Sequence, residues 1–315
     1  MKQRLITGIG IVATIVLMFL SRSLTLYVFD AFVAVLTVLA GIEFSKLLTK
    51  SKYYNFPIMI TIFPAIVYTC YMLCTYKKLD GYLIFVILIG IILLLLLGMF
   101  FYSLIFKNKT KEEMYVLGIK SSLTSYAFQK ATQTMFGFFY PTVFMLLIII
   151  NRFETTSHLF TKAVGFEGQL SLFALILAFL IPIITDTFAY LTGSLFKGKK
   201  LCPSISPNKT ISGAVGGVIW SVVVVTGLYL ILNSIASYNA MFDVLNLEIW
   251  HIILLSVFGS VASQCGDIFE SLLKRKAGVK DSGNILPGHG GMLDRIDSHI
   301  FNSAIVFVFF IIFII

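Results

Sequence analysis

The sequence predicts an all-α membrane protein, a bundle of about nine transmembrane helices with a cytoplasmic N-terminus. Hydrophobic residues make up 58% of the chain and charged residues only 12%, about half the charged fraction of a typical soluble domain. The mean hydropathy of +0.95 is too high for a soluble protein of this size. Apolar runs long enough to cross a bilayer recur along the chain, and lysine and arginine concentrate in alternate connections between them.

Each predicted span is an apolar run close to the ~20 residues that a helix needs to cross a bilayer. The runs are residues 5–21, 25–43, 56–76, 82–106, 131–151, 169–195, 211–233, 250–273 and 299–315. When the connections are assigned to alternating sides, 19 of the 24 Lys and Arg residues fall on the side of the N-terminus and five on the other. The positive-inside rule therefore makes that side cytoplasmic, and the asymmetry supports nine spans because one miscounted span would scramble it.

The chain divides by composition into two parts. Residues 1–165 hold N-terminal transmembrane helices and a polar connector, 107–130, which is interpreted as either an interfacial helix or a solvated link. Nothing in this part singles out a site. Residues 166–315 form the predicted catalytic part, because their spans contain ionisable residues and their cytoplasmic loops are rich in Gly, Pro, Ser and Lys.

The sixth span contains a carboxylate well inside its apolar run. A charge at mid-helix costs about 2.5–3.5 kcal/mol on insertion scales, so Asp186 must face protein, water or a cation. Asp186, Tyr190 and Gly193 are spaced i, i+4 and i+7 and share one helix face. We interpret Asp186 and Tyr190 as the wall of a polar, substrate-binding cavity; a hydrogen-bonded structural Asp is the alternative.

The segment 206–210 has the composition of a helix start. Ser206 can cap the next helix and Pro207 suits its first turn, where free backbone N–H groups attract anions. Lys209 adds positive charge, and Ser206, Lys209 and Thr210 are therefore candidate substrate-binding residues. A capped helix start without a ligand is the alternative.

The eighth span ends with a second polar face. Asp267, Ser271 and Lys274 are spaced i, i+4 and i+7, with Glu270 beside them. A carboxylate there can hold a hard cation, while the hydroxyl and ammonium groups take phosphate oxygens. An intrahelical ion pair at the water boundary is the alternative interpretation.

The stretch 271–297 concentrates charge and glycine in one cytoplasmic connection. Its candidate catalytic residues are Lys274, Arg275, Lys280, Asp281, His289, Arg295 and Asp297, together with Asp267 and Asp294 as a predicted magnesium pair. His289 lies between glycines, and the backbone N–H groups of Gly290 and Gly291 can approach an anion closely. Phosphoryl and nucleotidyl transfer need positioning and cations that neutralise phosphate charge, which these residue types supply.

These motifs resemble those of phosphatidate cytidylyltransferases, the CDP-diacylglycerol synthases. The pattern S-x-L-K-R-x4-K-D-x-G-x2-L-P-x-H-G-G-M-x-D-R-I-D, residues 271–297, is similar to the family signature at every fixed position. The stretches DTFAYLTG (186–193), SPNKT (206–210) and QCGDIFES (264–271) also resemble the family. Two positions depart from it: Asn208 replaces the family's first lysine and Ser212 its usual glutamate, so no role of that glutamate carries over.

The resemblance implies transfer of the cytidylyl group of CTP to phosphatidic acid, with CDP-diacylglycerol and pyrophosphate as products. It implies Mg²⁺ held by Asp267 and Asp294, with a second cation left open, and substrate phosphates bound by Lys274, Arg275, Lys280 and Arg295. It further implies a nine-helix homodimer. We also expect a plasma-membrane protein with no nucleic-acid partner, whose active site faces the cytoplasm because the lysine-rich side is cytoplasmic.

Two other classes fit the sequence less well. A secondary transporter would place its ionisable residues near the membrane midplane and often shows inverted repeats, whereas these charges cluster toward one surface without a repeat. A CDP-alcohol transferase would need a D-x2-D-G-x2-A-R array, which the sequence lacks. A lipid-alcohol kinase stays open, and ATP use without CTP turnover would indicate it.

Overall fold

The computed structural model describes residues 2–22, 25–51, 53, 55–76, 81–154, 162, 165–166, 168–286, 288 and 290–314 of the 315-residue chain. These residues form an almost wholly helical protein, which confirms the predicted all-α membrane class. The helices of the N-terminal part are α1 Lys2–Arg22, α2 Leu26–Lys50, α3 Pro57–Tyr76, α4 Gly81–Ile105, α5 Lys107–Val116, α6 Leu123–Thr142 and α7 Leu146–Ile150, with a 3-10 turn, Val143–Met145, joining the last two.

The C-terminal part contains four long helices, one short one and a small hairpin. Its elements are α8 Gln169–Phe196, β1 Lys200–Cys202, β2 Ser206–Thr210, α9 Ile211–Asn233, α10 Ala236–Val244, α11 Ile249–Lys276 and α12 Leu293–Ile314.

Six helical segments in the described residues are long and apolar enough to cross a membrane. They are Leu26–Lys50, Leu123–Ile150, Gln169–Phe196, Ile211–Asn233, Ile249–Lys276 and Leu293–Ile314. Counting the bent pair α4–α5 makes seven, and the shorter apolar helices Ala13–Arg22 and Pro57–Leu73 lie where the first and third spans are predicted. Every predicted span coincides with a helix, but the count of nine stays a prediction.

The polar connector 107–130 is partly helical. Its first part is α5, which bends by 86° from the end of α4. Lys130 of α6 holds this bend, because its Nζ donates to both oxygens of Glu113 at 2.7 and 2.8 Å and lies 4.3 Å from the centre of the Phe56 ring. A helix turned at right angles to a span has the orientation expected at a membrane surface.

Close helix contacts bring the polar ends of the C-terminal helices together. A Cβ atom at Gly213 of α9 would lie 2.5 Å from the carbonyl oxygen of Ala189 in α8, and one at Gly266 of α11 would lie 2.6 Å from the carbonyl oxygen of Asp297 in α12. Only glycine allows backbones to approach this closely. The polar residues of α8, α11 and α12 therefore meet at one end of the bundle.

The structure corrects the predicted helix start at 206–210. Ser206 lies in β2, which pairs antiparallel with β1 in the register Lys200↔Thr210 and Cys202↔Ser206. The helix begins after Thr210, whose side chain accepts the Gly213 N–H at 3.1 Å. Ser206 is not the cap because strand pairing extends the backbone to Thr210, the next hydroxyl residue along the chain.

Candidate active site

The first polar group of the site is built around Asp267, and we call it the Asp267 cluster. Its members are Asp186, Lys209, Asp267, Ser271 and Asp297. The Lys209 Nζ atom lies 2.6 Å from Asp267 Oδ2, and the Ser271 hydroxyl donates to Oδ1 at 3.3 Å. The hairpin β1–β2 thus carries Lys209 to the face that α11 presents with Asp267 and Ser271.

Three carboxylates of the Asp267 cluster lie within electrostatic range of one another. Asp186, Asp267 and Asp297 lie close enough for their negative charges to repel. Their exposure decreases in the order Asp186, Asp267 and Asp297: the first is exposed, the second half-buried and the third 8% exposed. The Oδ2 atom of Asp186 accepts the Ser298 hydroxyl at 3.4 Å. The cluster is therefore acidic inside and open at one end.

The second polar group, the Lys274 cluster, consists of Glu43, Glu270, Lys274, Ser282, Gly291 and Asp294. Lys274 forms ion pairs with Asp294 Oδ1, at 2.7 Å, and with Glu270 of the preceding turn. Glu270 is fully buried, so the ammonium group of Lys274 compensates two carboxylates that water hardly reaches. Lys274 also lies within electrostatic range of Asp297, which connects the two clusters.

The loop between α11 and α12 wraps around Asp294. The Oδ2 atom of Asp294 accepts the Gly291 N–H at 2.7 Å and both the N–H and the hydroxyl of Ser282 at 3.0 Å. Gly290 has φ +81°, which favours glycine, and a Cβ there would lie 2.6 Å from Asp294 Oδ2. The Gly291 N–H, predicted to bind substrate, is thus engaged by a side-chain carboxylate.

The structure does not bring every predicted residue into the two clusters. Arg275 turns to the hairpin, where its Nε donates to the Ile205 carbonyl oxygen at 3.0 Å, and Tyr190 is 75% exposed. Thr210 caps α9, and Ser206 lies in β2. Three further predicted residues are exposed along or beside the loop: Lys280, Asp281 and Arg295. His289 lies outside the described residues.

Three members of the Lys274 cluster were missed by the sequence reasoning or left without a role. Glu43 belongs to α2, in the part of the chain where no site was predicted, although an acidic residue following an apolar run is a recognisable signal. Glu270 was noted beside its neighbours without a function. Ser282 carries no signal in the sequence, since its role depends on the fold of the loop.

The residues present are compatible with a magnesium ion, although they do not enclose one. Among the described residues, no three His, Cys, Asp or Glu side chains are grouped tightly enough to hold a metal alone. Magnesium usually binds through one or two carboxylates, waters and substrate phosphates, so a complete protein cage is not required. The mutually repelling carboxylates of the Asp267 cluster provide such ligands, whereas Asp294 would have to release Lys274 or loop donors to bind an ion.

Comparison with known proteins identifies the family. A family model described as the cytidylyltransferase family matches residues 2–313. The chain belongs to this family. The match runs through both parts of the chain, so it covers the N-terminal helices as well as the motifs of the C-terminal part.

Individual relatives match over a shorter segment. The phosphatidate cytidylyltransferase of Staphylococcus haemolyticus (strain JCSC1435) is 47% identical over 124 residues, 39% of this chain and 44% of the relative. Those of Staphylococcus saprophyticus (43% over 127 residues, 40% and 45%) and Staphylococcus aureus strain COL (44% over 124 residues, 39% and 44%) are similar. The chain thus spans less than half the length of the curated relatives it matches.

Proposed function

We propose that this protein is a phosphatidate cytidylyltransferase, which transfers the cytidylyl group of CTP to phosphatidic acid. A phosphate oxygen of phosphatidate attacks the α-phosphorus of CTP, the bond to the β-phosphate oxygen breaks, and CDP-diacylglycerol and pyrophosphate leave. The observation that carries the proposal is the pair of charged clusters at one end of an apolar bundle, in a chain of the cytidylyltransferase family. A lipid phosphate and a nucleotide can meet there.

The Asp267 cluster is the proposed cation and triphosphate site. Asp267, with Asp297 and Asp186 within electrostatic range, would supply carboxylates for Mg²⁺, which when bound neutralises phosphate charge. Asp294 is the other predicted ligand, but its contacts with Lys274 and the loop favour an anchoring role. Lys209 now pairs with Asp267, and its ammonium group is placed to exchange that partner for a phosphate oxygen.

The Lys274 cluster is proposed to hold the positive charge in place. Ion pairs from two sides fix the Lys274 ammonium group, so the charge is oriented before substrate arrives. Arg275 fastens the hairpin that carries Lys209, which makes it a positioning residue rather than a phosphate ligand. Phosphatidate is already anionic near neutral pH, so the reaction needs no general base.

The proposal includes the setting of the enzyme. The staphylococcal relatives favour a plasma-membrane location, and the lysine and arginine distribution favours clusters that face the cytoplasm, where CTP is available. We also propose a homodimer and a catalytic unit within residues 166–315; both rest on the family resemblance and the distribution of motifs.

Purified protein in lipid nanodiscs tests the reaction. With phosphatidic acid, Mg²⁺ and CTP labelled at the α-phosphate, labelled CDP-lipid should form, and pyrophosphate should appear in equal amount. Parallel reactions with ATP, GTP and dCTP define the nucleotide. Failure to form CDP-lipid by well-folded protein, or consumption of ATP without CTP turnover, would overturn the proposal.

A further inference from the structure

A carboxylate from the N-terminal part of the chain reaches the loop between α11 and α12. Glu43 of α2 is only 2% exposed. Its Oε2 atom accepts the backbone N–H of Leu293 at 2.8 Å and lies 3.3 Å from the Ser282 hydroxyl. These partners are 250 and 239 residues away in sequence, so the contact joins two distant parts of the fold.

Glycines in the loop leave room for this carboxylate. A Cβ atom at Gly283 would collide with Glu43 Oε1, and one at Gly291 would collide with Oε2. Any larger residue at either position would force the carboxylate or the loop to move. The absence of side chains at Gly283 and Gly291 thus leaves space for the Glu43 carboxylate, as the absence of one at Gly290 does for Asp294.

Glu43 and Asp294 hold the loop from two sides. The Ser282 hydroxyl lies between them, 3.0 Å from Asp294 Oδ2 and 3.3 Å from Glu43 Oε2. Asp294 accepts hydrogen bonds from the backbone N–H groups of Ser282 and Gly291, while Glu43 accepts one from the N–H of Leu293, the first residue of α12. The other oxygen of Asp294 receives Lys274, so a shift of the loop would move this ion pair.

The burial of Glu43 has a physical cost that packing alone does not explain. A buried carboxylate is unfavourable unless it is hydrogen-bonded, and Glu43 Oε1 is buried without a hydrogen-bond partner among the described residues. An apolar residue at this position would avoid that cost but would leave the Leu293 N–H without its acceptor.

We infer that Glu43 is a positioning residue, which fixes the loop between α11 and α12 and thereby orients Asp294 and Lys274. Its effect on the loop is independent of the reaction. Its effect on turnover rests on the proposed cytidylyltransfer.

Hydrogen exchange tests the effect on the loop. In Glu43→Ala, the amides of Gly291 and Leu293 should exchange about tenfold faster than in the wild type, because Leu293 loses its acceptor and the loop opens more readily. Ser45→Ala is the matched control: Ser45 is also buried on α2, but its hydroxyl bonds to Asn55 at 3.0 Å and not to the loop. Unchanged exchange at 291 and 293 in Glu43→Ala, or equal acceleration in Ser45→Ala, would overturn the inference.

Kinetics with conservative variants separate positioning from folding. Glu43→Gln retains an oxygen that can accept the Leu293 N–H, so its kcat should stay within about threefold of wild type, whereas Glu43→Ala should lose about 100-fold in kcat with a small change in the KM for CTP. A Gln variant as impaired as Ala would contradict the inference.

Glu43→Asp provides the same test if Glu43→Ala does not fold, because it keeps the charge but shortens the side chain by one methylene group and withdraws the carboxylate from the Leu293 N–H. Faster exchange of the Leu293 amide in Glu43→Asp supports the inference, and wild-type exchange overturns it. If loop exchange responds as expected while the wild type makes no CDP-lipid, the positioning role holds and the proposed function fails.

Discussion

At the scale of single residues, the carboxylates of the site differ in how deeply they are buried and in which cation compensates their charge. Asp294 and Glu270 are buried and share Lys274, whereas Asp267 is half-exposed and has Lys209 as its cationic partner in the described structure. Removing one member of a buried ion pair strongly destabilises a protein, whereas removing one member of a half-exposed pair destabilises it much less. Substitutions in the two clusters should therefore have different effects on stability and on activity.

Asp267→Asn should greatly reduce activity without unfolding the protein. The amide cannot supply the negative charge that a divalent cation needs, and we expect kcat/KM for CTP to fall by about 100-fold or more. Thermal unfolding in detergent should change little because the side chain is half-exposed. Asp243→Asn, an exposed position on α10, is the control and should keep full activity. Wild-type turnover by Asp267→Asn would refute our assignment of the cation site.

Lys274→Met should destabilise the protein, because it leaves the carboxylates of Glu270 and Asp294 buried without their shared cation. Removing one partner of a buried pair costs about 3–5 kcal/mol. The double variant Lys274→Met with Glu270→Gln should regain part of the lost melting temperature but none of the activity. If Lys274→Met melts like the wild type, the ion pairs do not stabilise the fold as described.

At the scale of elements, the long helices were predictable and the small ones were not. A run of some 20 apolar residues predicts a span by itself, and each such run coincides with a described helix. The hairpin β1–β2 has only three and five residues, and its pairing depends on contacts that no local pattern encodes. This is why Ser206 was predicted as a helix cap, whereas Thr210 has that role.

The packing of α9 on α8 makes a testable prediction about glycine. Gly213→Ala should destabilise the protein by about 1–3 kcal/mol, because the added methyl group would meet the Ala189 carbonyl oxygen and force α8 and α9 apart. Gly227→Ala in the same helix is the control, since a Cβ there meets nothing within 4 Å. Its effect should be neutral or slightly stabilising. Thermal unfolding in one detergent compares the two, and equal losses would contradict close packing at Gly213.

At the scale of the whole molecule, the two parts of the chain are joined at both ends of the bundle. At one end Glu43 of α2 contacts the loop before α12. At the other end, Arg22 of α1 donates to the Gly168 carbonyl oxygen at 3.1 Å, and Glu154 accepts the backbone N–H of Ser171 at 2.9 Å. The division at residue 165 stays a prediction.

Sequence reasoning found the C-terminal site because its charges lie close together in the chain. Asp267, Ser271 and Lys274 share a helix face that spacing alone reveals, and the structure places the first two within hydrogen-bond distance. The contribution of Glu43 was missed because it depends on a contact across 250 residues. The prediction that Asp267 and Asp294 share a magnesium ion was limited in the same way. Which carboxylate forms an ion pair with Lys274 depends on the path of the loop, which the sequence does not reveal.

The topology provides the last prediction, because both clusters must face the compartment that holds CTP. In a variant lacking the four native cysteines, Ser204→Cys in the hairpin turn and Asp243→Cys on α10 mark the two ends of α9, and both positions are exposed. A membrane-impermeant maleimide should label Asp243→Cys in intact cells and Ser204→Cys only in inverted vesicles, because the lysine-rich end stays in the cytoplasm. The reverse pattern would place the clusters outside and remove CTP as a substrate; labelling of both from one side would contradict α9 as a span.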